Sequence, residues 1–201
     1  MARRNVEVRR EEILGATVAE VQKRGFAHTR VADVAEALAI SPALVFYHFE
    51  TKDRLLAEAF AYAAARDLVR LDAVVAAGGT ASSRLRAVLR LYSPAGSTPP
   101  GWTLWVDAWA AAMRSPDLRR VSKRLDLRWK NAVAELIADG VRDGEFRCDD
   151  PHGAAWRITA LIDGLAVQVT VHRGLLTRRQ MADWVAWQAE HELGLTAGSL
   201  S

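Results

Sequence analysis

Three residues, Ala39-Ile40-Ser41, separate two short apolar segments, Val31 to Leu38 and Pro42 to Phe49. So short a connection forces two helices to meet at a sharp angle. The flanking residues suit that geometry. Ala35 is small at the expected crossing point, while Val34, Leu38, Ile40, Val45 and Phe49 supply an apolar interior. Ser41 stands where its hydroxyl caps the next helix, and Pro42 at the first helical position loses no hydrogen bond. With Val45 and Phe49 turned inward, Ala43, Leu44, Tyr47 and His48 cannot all be buried in so small a unit. Small apolar side chains suit thymine methyl groups, and hydroxyl or imidazole donors suit phosphates, so this face is a candidate for DNA. The competing reading is a plain helical hairpin whose aromatics pack on the rest of the chain.

Helical periodicity continues along nearly the whole sequence, and no run of alternating β-branched residues is long enough for a sheet, so an all-α fold is expected. From Arg9 to Arg24, apolar residues at Ile13, Leu14, Val18 and Val21 form one stripe with Thr17 at its i+4 position, and Gly25 stands at the C-terminal cap. Thr51 is placed to cap a fourth helix running to about Ala77, where Gly78-Gly79 ends it. A short helix over Ser82 to Tyr92 and a loop over residues 93–101 follow. Further helices are expected over Trp102 to Arg114, from Pro116 with Ser115 as cap to about Asp143, over Gly153 to Arg173, and over Arg178 to Leu193. The tail, residues 194–201, is expected to fray. This order predicts a helix-turn-helix domain at residues 1–54 and a larger helical domain for ligand binding and dimerisation at residues 55–201.

Charge does not announce a partner, because residues 1–54 carry nine Lys/Arg against eight Asp/Glu. Position matters instead: basic residues bunch at Arg3-Arg4, Arg9-Arg10, Lys23-Arg24, Arg30 and Lys52/Arg54, which form either a phosphate-facing stripe or a solvated face. Cys148 is the single cysteine, which excludes an intrachain disulfide. No apolar core of a secretory signal follows Met1, and the apolar stretch from Ala154 to His172 is broken by Arg157, Asp163 and Gln168, reading as a buried helix. A cytoplasmic protein without a membrane partner is expected. The histidines, His28, His48, His152, His172 and His191, show no metal-ligand spacing, and Cys148 lacks the context of an activated nucleophile. No catalytic residue, metal or cofactor is therefore expected.

All seven tryptophans lie after Gly101, so the two domains have different tasks. Trp102, Trp105, Trp109 and Met113 share one helical face; they form either a core stripe or the wall of a pocket for an apolar or cationic ligand. Trp129 and Trp156 are further candidates. Asp107 points away from the tryptophan stripe at about 100° per residue. Asp163 shares a face with Trp156, Thr159 and Thr170, opposite Ile158, Leu161, Ile162, Leu165 and Val169, so it is either paired within the chain or a ligand contact. Its helix also carries a strip of small or short residues, Ala160, Gly164, Val167 and Val171, that permits close approach of another helix. A homodimer through the last two helices is expected, with Met181, Trp184, Val185 and Gln188 offered by the final one.

Residues 29–55 closely resemble the DNA-binding motif of the TetR family of transcriptional regulators, in the ungapped order of small, apolar, aromatic-His-Phe and following Lys residues. The resemblance implies that Ser41, Pro42, Ala43, Leu44, Tyr47 and His48 enter the major groove of double-stranded operator DNA. Lys52, Thr29 and Arg30 would meet the backbone. Ala39 and Ala43 stand where glycine is usual, a change that helices tolerate, and Phe46 stands where tyrosine is usual. Trp102 to Asp107 and Asp163-Gly164-Leu165 are similar to the subgroup that includes the choline-responsive BetI repressors, implying an organic cation or fatty small-molecule effector. The function expected is a dimeric, ligand-released repressor at a palindromic operator. The alternative is an activator or a ligand-independent architectural DNA-binding protein.

Overall fold

The computed structural model describes residues 2–94, 101–172 and 174–200, and these residues form nine helices and no strands. The helices are α1 (Ala2–Arg24), α2 (Val31–Ala37), α3 (Pro42–Phe49), α4 (Lys52–Val75), α5 (Ala81–Tyr92), α6 (Gly101–Ala112), α7 (Pro116–Arg142), α8 (Pro151–Val171) and α9 (Arg178–Glu192). The all-α expectation therefore holds, and α1 begins at Ala2, ahead of the expected start at Arg9. The loop expected at residues 93–101 lies, for residues 95–100, outside the described residues.

Two compact units result, Met1–Arg66 with Thr103–Leu125, and Asp67–Trp102 with Asp126–Ser201. Helices α4, α6 and α7 each run from one unit into the other, whereas the sequence alone put a single division after residue 54.

In the first unit, Ile13 and Leu14 of α1 pack with Val31, Val34 and Ala35 of α2, Val45 and Phe49 of α3, and Leu55 and Ala59 of α4. Thr17 interrupts the apolar stripe of α1 without leaving a buried donor unpaired, because its hydroxyl donates to the Ile13 carbonyl at 2.7 Å. Between α2 and α3 the axes turn through 113°. The turn closes with two hydrogen bonds, Ala39 N–H to the Glu36 carbonyl at 3.1 Å and Ile40 N–H to the Ala35 carbonyl at 3.0 Å. This is the double closure of a Schellman ending, and it puts Ala39 in the left-handed region at φ +52°. Ala39 is thus a turn residue and not a helical one, so the expectation that a helix absorbs alanine here needs correcting. A Cβ in that conformation is strained. Glu50, between α3 and α4, also has positive φ, at +62°.

The second unit is built on α8 and α9. Arg157 of α8 donates twice to Glu192 of α9, both at 2.7 Å. By length and hydropathy α8 resembles a membrane span. Its charges are nevertheless paired, and Ala154, Ala155, Ile158, Thr159, Ile162 and Ala166 form its buried face. That face is rotated from the expected one: Thr159 lies inside, its hydroxyl bonded to the Ala155 carbonyl, while Leu161, Leu165 and Val169 are half-buried. The tail does not fray within the described residues. Glu190, buried on α9, accepts the N–H groups of Gly198 at 3.0 Å and Leu200 at 2.7 Å, and Leu200 is buried.

Glu145 performs a comparable service for α5, accepting the N–H groups of Ala81 at 2.8 Å and Ser82 at 3.0 Å. Those donors, that of Ser82 foremost, hold its carboxyl below the ordinary range. Glu145→Ala is expected to cost about 1 kcal/mol near neutral pH. A depressed carboxylate stabilises above its unfolded pKa and loses that contribution as pH falls through the folded one, so the gap from wild type should close in acid. Urea denaturation across pH checks this. Ala39→Gly should raise stability by about 1 kcal/mol in the same assay by relieving the left-handed Cβ.

Candidate functional site

Helix α3 is capped as its sequence requires, with the Ser41 hydroxyl accepting the Leu44 N–H at 3.3 Å. Val45 and Phe49 anchor it in the core, and the other side faces solvent. Ser41, Pro42 and Ala43 are exposed, Leu44 and His48 are half-buried, and Tyr47 is 76% exposed with its ring edge-on to His48 at 5.4 Å. Phe46, which sequence reasoning left off this face, is also exposed. It occupies the helical position between Val45 and Tyr47, and the i, i+4 core pair Val45/Phe49 already implied as much.

The same unit holds a cleft of about 370 Å³ lined by Arg24, Ala27, His28, Arg30, Asp33 and Lys52. Arg24, His28, Arg30 and Lys52 give it four basic side chains against one carboxylate. Asp33 is also engaged, accepting the Arg30 N–H at 2.8 Å. Arg24 and His28 were not among the expected site residues, although Lys23-Arg24 was one of the basic clusters. Thr29 departs from its expected role: its side chain is buried and its hydroxyl donates to the Gly25 carbonyl at 2.8 Å, which leaves that hydroxyl no phosphate to meet.

The candidate ligand residues fall into two groups. In the second unit, Tyr92 stacks on Trp129 with centroids 4.8 Å apart and planes 9° apart. The Trp102 indole N–H donates to the Tyr92 carbonyl at 2.9 Å, and the Tyr92 hydroxyl donates to Asp163 at 2.8 Å. Lys130 reaches Asp126 at 2.6 Å and Asp163 at 3.4 Å while lying 5.1 Å above the ring of Trp156. Trp102, Trp129, Trp156 and Asp163 are thus joined through two residues that sequence reasoning missed, Tyr92 and Lys130. The signal was available for Lys130, since it lies on the face of α7 that Val133 and Ile137 bury. Burial pushes the Asp163 carboxyl above its ordinary range, against the opposing pull of Lys130. The Tyr92 hydroxyl is pushed up by burial and then by Asp163.

Trp105, Trp109 and Met113 belong to the first unit. Trp105 packs edge-on against Phe60 at 4.9 Å and near Trp109 at 6.0 Å. Met113 follows the end of α6 and is 67% exposed, so the four-residue wall expected on that helix is corrected: Trp102 alone joins the second-unit cluster. Asp107 has a structural partner, accepting the Phe26 N–H at 2.8 Å beside Gly25, whose φ of +80° requires a residue without Cβ. Among the described residues no three His, Cys, Asp or Glu side chains converge as metal ligands.

One surface expectation also changes. Met181 and Val185, offered for a second copy, are buried in the chain's own core, whereas Trp184 and Trp187 are exposed on α9. On α8, Ala160, Gly164 and Val171 are exposed and Val167 is half-buried.

Residues 13–59 match the family model of bacterial regulatory proteins, tetR family, and residues 81–194 match that of the BetI-type transcriptional repressor, C-terminal. The HTH-type transcriptional regulator BetI of Paraburkholderia xenovorans is 33% identical over 166 residues, covering 79% of this chain and 80% of that protein. Its counterpart in Burkholderia thailandensis is 31% identical over 162 residues, with the same coverage. Among solved structures, one described as a transcriptional regulator from Saccharomonospora viridis in complex with choline superposes with TM-score 0.83 at 28% identity, covering 93% of this chain and 98% of that one. Another from Pseudomonas aeruginosa PAO1 shares the fold, with TM-score 0.79 at 24% identity over 96% of this chain and 93% of that one.

Asp107→Ala leaves the Phe26 N–H without its partner. A loss of about 1–3 kcal/mol is expected in urea denaturation, and an unchanged midpoint would show that the bond contributes nothing.

Proposed function

Because this chain belongs to the TetR family of transcriptional regulators, with a BetI-type C-terminal region, we propose that it represses transcription as a homodimer on a palindromic operator and is released by a small organic cation. Its relatives are transcriptional regulators, and the chain is a regulator of the same ligand-responsive kind. It acts in the cytoplasm.

The observation that carries the DNA assignment is the solvent face of α3 together with a basic cleft in the same unit. Tyr47, Ala43 and Leu44 read base edges and His48 assists. Arg30 and Lys52, with Arg24 and His28, neutralise phosphates. The Lys52 ammonium at the start of α4 adds to that helix's unpaired N–H groups. Thr29 is not retained as a phosphate contact, since its hydroxyl and its N–H both donate to the Gly25 carbonyl.

The dimer forms through α8 and α9. Trp184 and Trp187 lie exposed on α9. Ala160 and Gly164 on α8 permit a close helix approach. Two recognition helices so paired meet half-sites about one DNA turn apart.

The effector site is the second-unit cluster of Tyr92, Trp102, Trp129, Trp156 and Asp163. Aromatic faces with a partly buried carboxylate suit an organic ammonium, and the Saccharomonospora viridis protein binds choline. Helices α4 and α6 connect this unit to the DNA-contact unit. Trp102 lies on α6 five residues before Asp107, which holds the turn after α1. A ligand-induced shift of these helices alters the spacing of the recognition helices through a coupling of about 1–3 kcal/mol.

Replacing Tyr47 and Lys52 together with Ala is expected to abolish operator retention in a mobility-shift assay while sedimentation still reports a dimer. The operator is first selected from genomic fragments with the wild-type protein. Retention at wild-type affinity would overturn the DNA-contact assignment.

A further inference from the structure

Lys130 is only 4% exposed, and its ammonium is surrounded on α7 and α8 by Asp126 at 2.6 Å, Asp163 at 3.4 Å and the face of Trp156 at 5.1 Å. A buried ammonium is costly unless paired, and this one has two carboxylates and an aromatic face. Those are the partners an organic cation takes from a receptor. The seat also has a way out, because Trp156 is 41% exposed beside it.

We infer that Lys130 is a built-in competitor whose ammonium occupies the cation seat of the free protein, so that an organic-cation effector binds by ejecting it. The inference rests on the effector site proposed above and adds what sets its selectivity. Charge balance is kept in the exchange: one cation leaves Asp126 and Asp163 and another replaces it, while the four-carbon stem of Lys130 carries its charge to water. A tethered competitor acts at an effective concentration in the millimolar range or above. A cation that brings charge alone exchanges like for like and gains nothing. A quaternary ammonium, with methyl groups to lay on Trp156, gains apolar contact that lysine does not supply. Lys130 therefore sets a threshold on effector concentration and selects for alkylated cations over inorganic ones.

The test uses the full-length protein with choline and tetramethylammonium as cations and 3,3-dimethylbutanol as the neutral counterpart of choline. Binding is followed by tryptophan fluorescence and melting temperature. Lys130→Met, which keeps the stem and removes the charge, and Lys130→Ala, which opens the seat, are each expected to bind choline at least about tenfold more tightly than wild type. The neutral alcohol should show no such gain, and adding Asp163→Asn to Lys130→Met should remove it. A second measurement needs no variant: reductive methylation read by mass spectrometry should spare Lys130 in the free wild-type protein and modify it at saturating choline. Equal or weaker choline binding by the variants, or a Lys130 equally unreactive with and without bound choline, overturns the inference while leaving the effector site standing. Choline binding by neither wild type nor variants overturns both.

Discussion

The turn between α2 and α3 is the constraint on which the DNA-contact face depends. Its two backbone hydrogen bonds, from Ala39 and Ile40 back to Glu36 and Ala35, end α2 abruptly and return Ile40 to the core. Ser41 then caps α3 at once, so the new helix starts with its direction already set. Because Val45 and Phe49 must reach the same small core as Val34 and Ala35, the rotation of α3 about its axis is settled too. Tyr47 faces water as a consequence of that rotation, at the expense of apolar exposure that only a partner can offset. The left-handed backbone at Ala39 is the strain accepted to close the turn.

Polar groups inside the second unit divide into those that hold the fold and those poised for exchange. Glu190 and Glu145 bind backbone N–H groups that cannot move without unfolding the tail or the start of α5. Lys130 and Asp163 differ in kind. Their partners are side chains, one of the distances is 3.4 Å, and burial disfavours the charged form of Asp163. A cluster with two carboxylates and one tethered cation is satisfied, yet its cation can be replaced without changing net charge. The same geometry that makes the interior tolerable makes it receptive.

Most helices were legible in the sequence because caps and breakers are local: Ser41-Pro42, Thr51, Ser115-Pro116 and Gly25 each act on their own neighbours. The tryptophans show where local reasoning stops. Trp102, Trp105 and Trp109 share a helical face, but the boundary between compact units falls between residues 102 and 103, so a common face did not make a common site. Met181 and Val185 looked available for a second copy, and α9 instead turns them into its own core, leaving Trp184 and Trp187 outside. Tyr92 escaped notice because its partner lies 71 residues away in the chain, and Lys130, although Asp126 is near it on α7, because its contacts with Asp163 and Trp156 join it to a distant segment.

The sequence by itself determined the all-helical architecture, the three-residue turn and the outward aromatic segment after Ser41, since periodicity, capping and steric limits operate over a few residues. The tertiary structure alone decided that Thr29 faces inward, that Asp107 serves a backbone N–H 81 residues away, and that Lys130 sits between two carboxylates and Trp156. Those outcomes depend on which helix faces meet. A side chain's charge and size are written locally, but its partners are set by packing between segments far apart in the chain.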